Sequence, residues 1–232
     1  MTSNRLALFD LDHTLLPLDS DYQWADFLAR TGRAGDPEIA RARNDELMQR
    51  YNAGELTAQE AAQFMLGLLA AHDPLDLAHW HEEFMKDVIR PRMTAPACDL
   101  VRKHLANGDL CAIVTATNSF VTAPIARAFG VPHLIATDPQ YVAGRYTGNI
   151  HGTPSFREGK VVRVNDWLAG MGRALNEFDQ SYFYSDSIND LPLLEAVTHP
   201  VVTNPSAALH DVARQRQWPV LQLFDENLDQ KS

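Results

Sequence analysis

Cysteine is scarce: Cys98 and Cys111 are the only two in 232 residues. Each sits beside apolar neighbours, which reads as two small buried hydrophobes rather than a disulfide or a thiolate metal site. Basic residues are short as well. Twenty Lys and Arg against thirty Asp and Glu leave a net charge of -10, which excludes a protein whose main task is gripping a nucleic-acid backbone, since that rests on clustered Lys and Arg. No apolar stretch is long enough to span a bilayer, so no membrane partner is expected either. The opening residues Met1 to Phe9 run into an apolar segment interrupted by acidic residues, without signal-peptide layout, and a cytoplasmic location is the expectation. A phosphate-cradling P-loop is missing: Gly159-Lys160 has neither the earlier glycine nor the following Ser or Thr.

What is present is a globular composition, with 45% hydrophobic and 22% charged residues, far from the polar bias of disordered chains. Arg5 to Phe9 is a short apolar run that stops at Asp10, a buried strand meeting a loop. The period then turns helical. Ser20-x-x-Gln23 reads as a capping box before Trp24, Phe27 and Leu28, Asp36-Pro37 as an N-cap, and Thr57-x-x-Glu60 as a second box. A further helix covers about Leu75 to Ile89, and Arg90-Pro91 closes it. With no strand candidate between Pro17 and Pro91, this stretch is expected to be an inserted cap of about four helices.

Strands and helices alternate after it. Leu110 to Val114 is a strand ending at Thr115, His133 to Ala136 another, Tyr141 to His151 a small β excursion, and Tyr182 to Ser185 a fourth strand. Ser155-x-x-Glu158 reads as a cap for a helix through Trp167, and Val201-Val202 and Val220 to Leu223 are the last strand candidates before a polar tail from Asp225, expected to fray. The fold class that follows is α/β: a Rossmann-like parallel sheet covered by helices on both faces, with a core of residues 1–16 and 93–232 and a helical cap of residues 17–92.

In such sheets the reactive groups end the strands. Here those are Asp10 and Asp12, then Thr115, then Asp186, with Lys160 in the first turn of a helix and Asp190 on the loop after Asp186. The set suits movement of a phosphoryl group. A carboxylate near its reference pKa is ionised at neutral pH, so an aspartate in the place of Asp10 needs no separate base to attack phosphorus. Mg²⁺ held by Asp10, Asp186 and the backbone carbonyl of Asp12 would offset repulsion from the phosphate. Asp12 is placed to protonate the leaving alkoxide and then deprotonate a water. Thr115, with backbone N–H groups near Asn118, is suited to the non-bridging oxygens, and Lys160 adds positive charge. An isolated Asp-x-Asp is more often a turn or a cap; its recurrence downstream as Asp186-Ser-Ile-Asn-Asp190 weakens that reading.

Phe9-Asp-Leu-Asp-His-Thr-Leu15, Thr115 after Cys-Ala-Ile-Val, Lys160, and Tyr184-Ser-Asp-Ser-Ile-Asn-Asp-Leu-Pro192 resemble the four ordered motifs of the haloacid dehalogenase superfamily. The insert resembles the cap of its phosphoserine-phosphatase-like subfamily, and the segments Asp19 to Trp24 and Tyr51 to Leu56 are similar to those of bacterial histidinol-phosphate phosphatase-like members. The resemblance implies a small phosphorylated metabolite as substrate, Mg²⁺ as cofactor, Asp10 as nucleophile, Asp12 as acid/base, and Asn189 within the fourth motif as a supporting residue; His13 has no assigned role. Asp19 and Asp21 would pair with a substrate amine and Trp24 would stack on a ring, or else the acids flank an N-cap and Trp24 is cap core. Arg90 and Arg92, at the return hinge, are either phosphate contacts or surface residues, the second being the favoured reading. His79 and His81 are two apart on a helix and point to different faces, which rules out a shared zinc. Receiver domains use a similar constellation, but there the acidic pair precedes the phosphorylated Asp and no helical insert follows. Transfer to another acceptor stays open beside hydrolysis.

Overall fold

The computed structural model describes residues 4–53, 55 and 57–224. The expected fraying tail and Gly54 and Leu56 of the Tyr51 to Leu56 segment lie outside these residues. The chain order is β1 (Arg5–Phe9), α1 (Ser20–Arg30), α2 (Pro37–Asn52), α3 (Ala58–Ala70), α4 (Pro74–Phe84), α5 (Ala95–Ala106), β2 (Leu110–Asn118), α6 (Ser119–Phe129), β3 (His133–Val142), β4 (Arg145–His151), α7 (Glu158–Gly170), β5 (Gln180–Ser185), α8 (Leu191–Ala196), β6 (His199–Thr203), α9 (Ala207–Arg216) and β7 (Val220–Leu221). A π turn over Met85–Ile89 and a 3₁₀ turn over Arg90–Arg92 carry the chain out of α4, and Pro91, lacking an N–H, ends the helical run.

The strands form one seven-stranded sheet in the order β4-β3-β2-β1-β5-β6-β7, parallel except for the antiparallel β3–β4 hairpin. β1 lies at its centre, with Ala7 opposite Cys111 on one side and Tyr182 on the other. Side chains alternate across it. Ala7, Phe9, Cys111 and Ile113 point into one core shared with α1, α3, α5 and α6, while Leu6, Leu8, Ala112 and Val114 point into the other, closed by α7, α8 and α9. Burial on both faces explains why these strands are continuous apolar runs.

Helices α1 to α4 all fall between β1 and α5, as the missing strand signal predicted. Trp24, Phe27 and Phe84 form their aromatic centre, joined by His81 and by Phe120 of α6. The Thr57–Glu60 capping box forms in both directions, at 3.2 and 2.8 Å. The other two boxes do not. The N-cap of α1 is Asp19, whose carboxylate accepts from Tyr22 N at 2.8 Å, and Ser20 is already the first helical residue. Ser155 is buried and bonds to β3 through Thr137 and Ile135 instead of capping α7. Both cysteines are free; Cys111 is buried as expected, whereas Cys98 is half-buried. His81 Nε2 donates to Val121 O at 2.9 Å while His79 lies 3.5 Å from Glu83, so the two histidines do diverge.

Candidate active site

Asp10 follows the central strand and keeps its register, with its N–H donating to Tyr184 O at 2.9 Å. Its carboxylate is buried at the floor of a cleft of about 830 Å³ that opens between the sheet's C-terminal edge and α1. One oxygen accepts from Lys160 Nζ at 2.9 Å, and the other faces the Thr14 hydroxyl at 3.2 Å. That hydroxyl is also 3.0 Å from Asp186 Oδ1 and accepts from Asp186 N at 3.1 Å, so Thr14 ties the loops after β1 and β5 together. Lys160 Nζ donates in addition to Asp190 Oδ2 at 2.7 Å, which also accepts from Ser185 Oγ at 2.7 Å. Burial pulls the Lys160 ammonium down; the flanking charges of Asp10 and Asp190 outweigh it and raise the group above its ordinary value.

The start of α7 is shaped for this. A Cβ on Gly159 would come within 2.1 Å of Pro154 O, so only glycine lets the loop fold back tightly enough to put Lys160 in the cleft. Arg157, before it, holds a left-handed φ of 50° and donates through Nε to Asn189 Oδ1 at 3.2 Å. Asn189 lines the cleft from the loop after β5.

Asp12 is bound differently from Asp10. Oδ1 accepts from Ser20 N at 2.9 Å and Oδ2 from Thr117 Oγ1 at 2.7 Å. Burial first, and then the nearby charge of Asp19, push its carboxyl up to about 6, against the lowering effect of both hydrogen bonds. Asp190 is likewise pushed up to about 6 by burial, although Lys160 pulls it down, and burial with the charges of Asp10 and Asp190 raises Asp186 well above the carboxylate range.

Asp10, Asp12, Asp19, Thr115, Lys160, Asp186 and Asp190 therefore share one cleft. Of the two readings of Trp24, cap core holds: it is 1% exposed and stacked among Phe27, His81, Phe84 and Phe120, and presents no face to a ligand. Asp21 and Asn118 do not line the cleft: Asn118 Nδ2 donates to Asp21 Oδ1 at 2.8 Å while Asn118 Oδ1 caps α6 through Val121 N. Arg92, for which a surface position is the favoured reading over phosphate contact, is half-buried and lines the cleft. Thr117, Ser185 and Asn204 were missed. Thr117 was findable, since it shares a strand face with Thr115 two residues earlier. Asn204 carried no such signal; it holds the loop after β1 by donating to His13 O and Thr14 O, both at 3.1 Å, from a left-handed φ of 45°.

Among the described residues no group of three or more His, Cys, Asp or Glu side chains is placed to hold a metal ion by itself. The donor set nonetheless suits Mg²⁺. The buried ammonium of Lys160 pairs with Asp10 and Asp190, while Asp186 lies near enough to both acids for their charges to raise its carboxyl and has no cation of its own among the described residues. Mg²⁺ takes one or two carboxylates and keeps waters, and with both Asp12 carboxylate oxygens engaged by Ser20 and Thr117, the backbone carbonyl is that residue's free donor.

The sequence profile of the haloacid dehalogenase-like hydrolases matches residues 7–195. The chain is 41% identical over 217 residues to a histidinol-phosphatase of Neisseria meningitidis, covering 93% of this chain and 97% of that protein. A crystal structure of a protein of unknown function from Bordetella pertussis superposes with a TM-score of 0.94 at 76% identity, covering 96% of this chain and all of that one. A phosphoserine phosphatase carrying a phospho-aspartyl intermediate analogue shares the fold at TM-score 0.66 and 16% identity, covering 97% and 95% of the two chains. The central sheet, the acids at its C-terminal edge and these relatives agree: the chain belongs to the haloacid dehalogenase-like hydrolase family, among its phosphatases.

Proposed function

We propose that the chain is a Mg²⁺-dependent phosphatase that hydrolyses a small phosphomonoester through an aspartyl phosphate on Asp10, with residues 17–92 as a cap over a core of residues 1–16 and 93–232. The observation that carries this reading is the contrast between two carboxyls in one cleft: Asp10 ion-paired to Lys160, and Asp12 pushed up to about 6. Unequal environments are what separate a nucleophile from an acid/base.

Asp10 attacks phosphorus, the bond to the ester oxygen breaks, and the Asp12 carboxyl gives its proton to that oxygen. Asp12, now ionised, takes a proton from water as the water oxygen attacks the phosphorus of the aspartyl phosphate, and the bond to Asp10 breaks to release phosphate. Bound by Asp10, Asp186 and the Asp12 carbonyl, Mg²⁺ would supply the charge that lets a carboxylate approach a phosphate. Lys160 holds Asp10 in place and balances its charge; Thr115 meets the phosphate oxygens from within β2.

Likeness to the Neisseria histidinol-phosphatase makes histidinol phosphate the first substrate to test, and Asp19, which lines the cleft, is the carboxylate for its amine. Phosphate release should be measured on histidinol phosphate and phosphoserine with Mg²⁺ and with EDTA. Release from histidinol phosphate that EDTA abolishes and Mg²⁺ restores is expected. Preference for phosphoserine would refute the substrate, and EDTA-resistant turnover would refute the metal.

A further inference from the structure

The two hydrogen bonds on Asp12 come from separate parts of the chain. Ser20 N belongs to the first turn of α1, in the helical insertion, and Thr117 Oγ1 to the end of β2. The residue after each donor is also engaged, and with the other: Asn118 Nδ2 donates to Asp21 Oδ1 at 2.8 Å. Two consecutive rungs result, Ser20–Asp12–Thr117 and Asp21–Asn118. Asn118 is anchored on its own side, since Oδ1 accepts from Val121 N at 3.2 Å and its carbonyl accepts from Thr122 Oγ1 at 2.9 Å. The pairing of β2 with β3 also slips between Val114 and Asn118, an irregularity of the kind that re-aims side chains beside active sites. Neither Asp21 nor Asn118 is among the residues lining the cleft.

We propose that the Asp21–Asn118 pair is a positioning clasp for Asp12: it holds the first turn of α1 against the end of β2, so that both donors to the acid/base stay in place. The proposal rests on the reading of Asp12 as general acid. With the clasp broken, α1 and the end of β2 are free to part, and Asp12 loses the geometry that proton delivery to a leaving oxygen demands. Binding of the phosphate by Asp10, Thr115 and Lys160 is untouched.

The test uses the full chain and a series of substituted phenyl phosphates, alike in shape and graded in leaving-group basicity. A nitrophenolate departs without a proton; an unsubstituted phenolate gains from one. The slope of log kcat/KM against leaving-group pKa therefore reads proton delivery, which a general loss of folded protein does not move. Asn118→Ser keeps an N-cap for α6 but is too short to reach Asp21. The double variant Asp21→Asn with Asn118→Asp keeps the cap and reverses donor and acceptor. For Asn118→Ser the expected loss is about threefold on p-nitrophenyl phosphate and about thirtyfold on phenyl phosphate, a fraction of what a general acid contributes. The double variant should recover the wild-type slope, and Asp12→Asn should be steepest. A wild-type slope in Asn118→Ser beside a steep one in Asp12→Asn would overturn the clasp alone, as would a double variant no better than the single. A wild-type slope in Asp12→Asn would overturn the acid assignment and the clasp with it.

Discussion

Lys160 keeps its charge with 2% of its surface exposed because two carboxylates surround it. Burying an ammonium costs several kcal/mol, and attraction to Asp10 and Asp190 offsets that only while all three are present. Lys160→Met would leave two buried carboxylates facing each other, so it should lower unfolding free energy by about 3 kcal/mol as well as turnover. Urea denaturation checks this; unchanged stability would mean that the ion pairs do not hold the site together. Much of this was legible in the sequence, because Asp10, Thr115 and Asp186 each close an apolar run, and Asp10 and Asp186 follow directly on β1 and β5. The second partner of Lys160, Asp190, was legible as a motif position only. That it shares the lysine with Asp10 depends on the depth of the β5–α8 loop, which no local pattern encodes. Trp24 shows the same limit in reverse. A tryptophan beside two acids suits a ligand wall or a core, and only the packing of α4 and α6 around it decides.

Elements positioned these residues through contacts of single atoms. At the start of α7 the backbone of Pro154 passes so close to Gly159 that a methyl group has no room. Gly159→Ala must move that backbone and Lys160 with it, and should cost at least about tenfold in kcat/KM, since small displacements of catalytic groups carry penalties of that order. Wild-type kinetics in this variant would show that the loop adapts freely. In α1, Trp24→Ala should destabilise by about 3–5 kcal/mol, as for other large-to-small core changes, while KM of the remaining folded enzyme stays unchanged. A raised KM with unchanged stability would restore the stacking role. Helix existence and order were readable throughout, from the cap signals and apolar spacing. Two starts were misread because Ser, Asp and Thr all serve as caps: Asp19 displaced Ser20, and Ser155 found partners on β3. β2 runs three residues past Thr115 since its hydrogen bonding to β3 resumes at Asn118, and sequence alternation gives no sign of that.

The whole molecule joins its helical insertion to the sheet through buried polar contacts as well as apolar ones. His81 of α4 donates to Val121 O of α6, across that boundary, and burial lowers its pKa below the ordinary 6.5. The unfolded chain therefore binds the proton more readily than the folded one, and stability contributed above pH 6.5 is lost as pH falls toward the folded value. His81→Phe removes that proton, so the stability gap between wild type and variant should shift in favour of the variant from about pH 7 to about pH 5 in thermal melts. A gap constant with pH would contradict burial of a neutral imidazole there. The order of strands and helical insertion was legible as fold class, since alternation and a long strandless span admit few topologies. The central claim, that Asp10 becomes covalently phosphorylated, is tested most directly by quenching a single turnover with labelled substrate and mapping the label by mass spectrometry. The account predicts phosphate on the peptide bearing Asp10, and loss of both label and turnover in Asp10→Asn. Label elsewhere, or turnover by Asp10→Asn near that of the wild type, would contradict it.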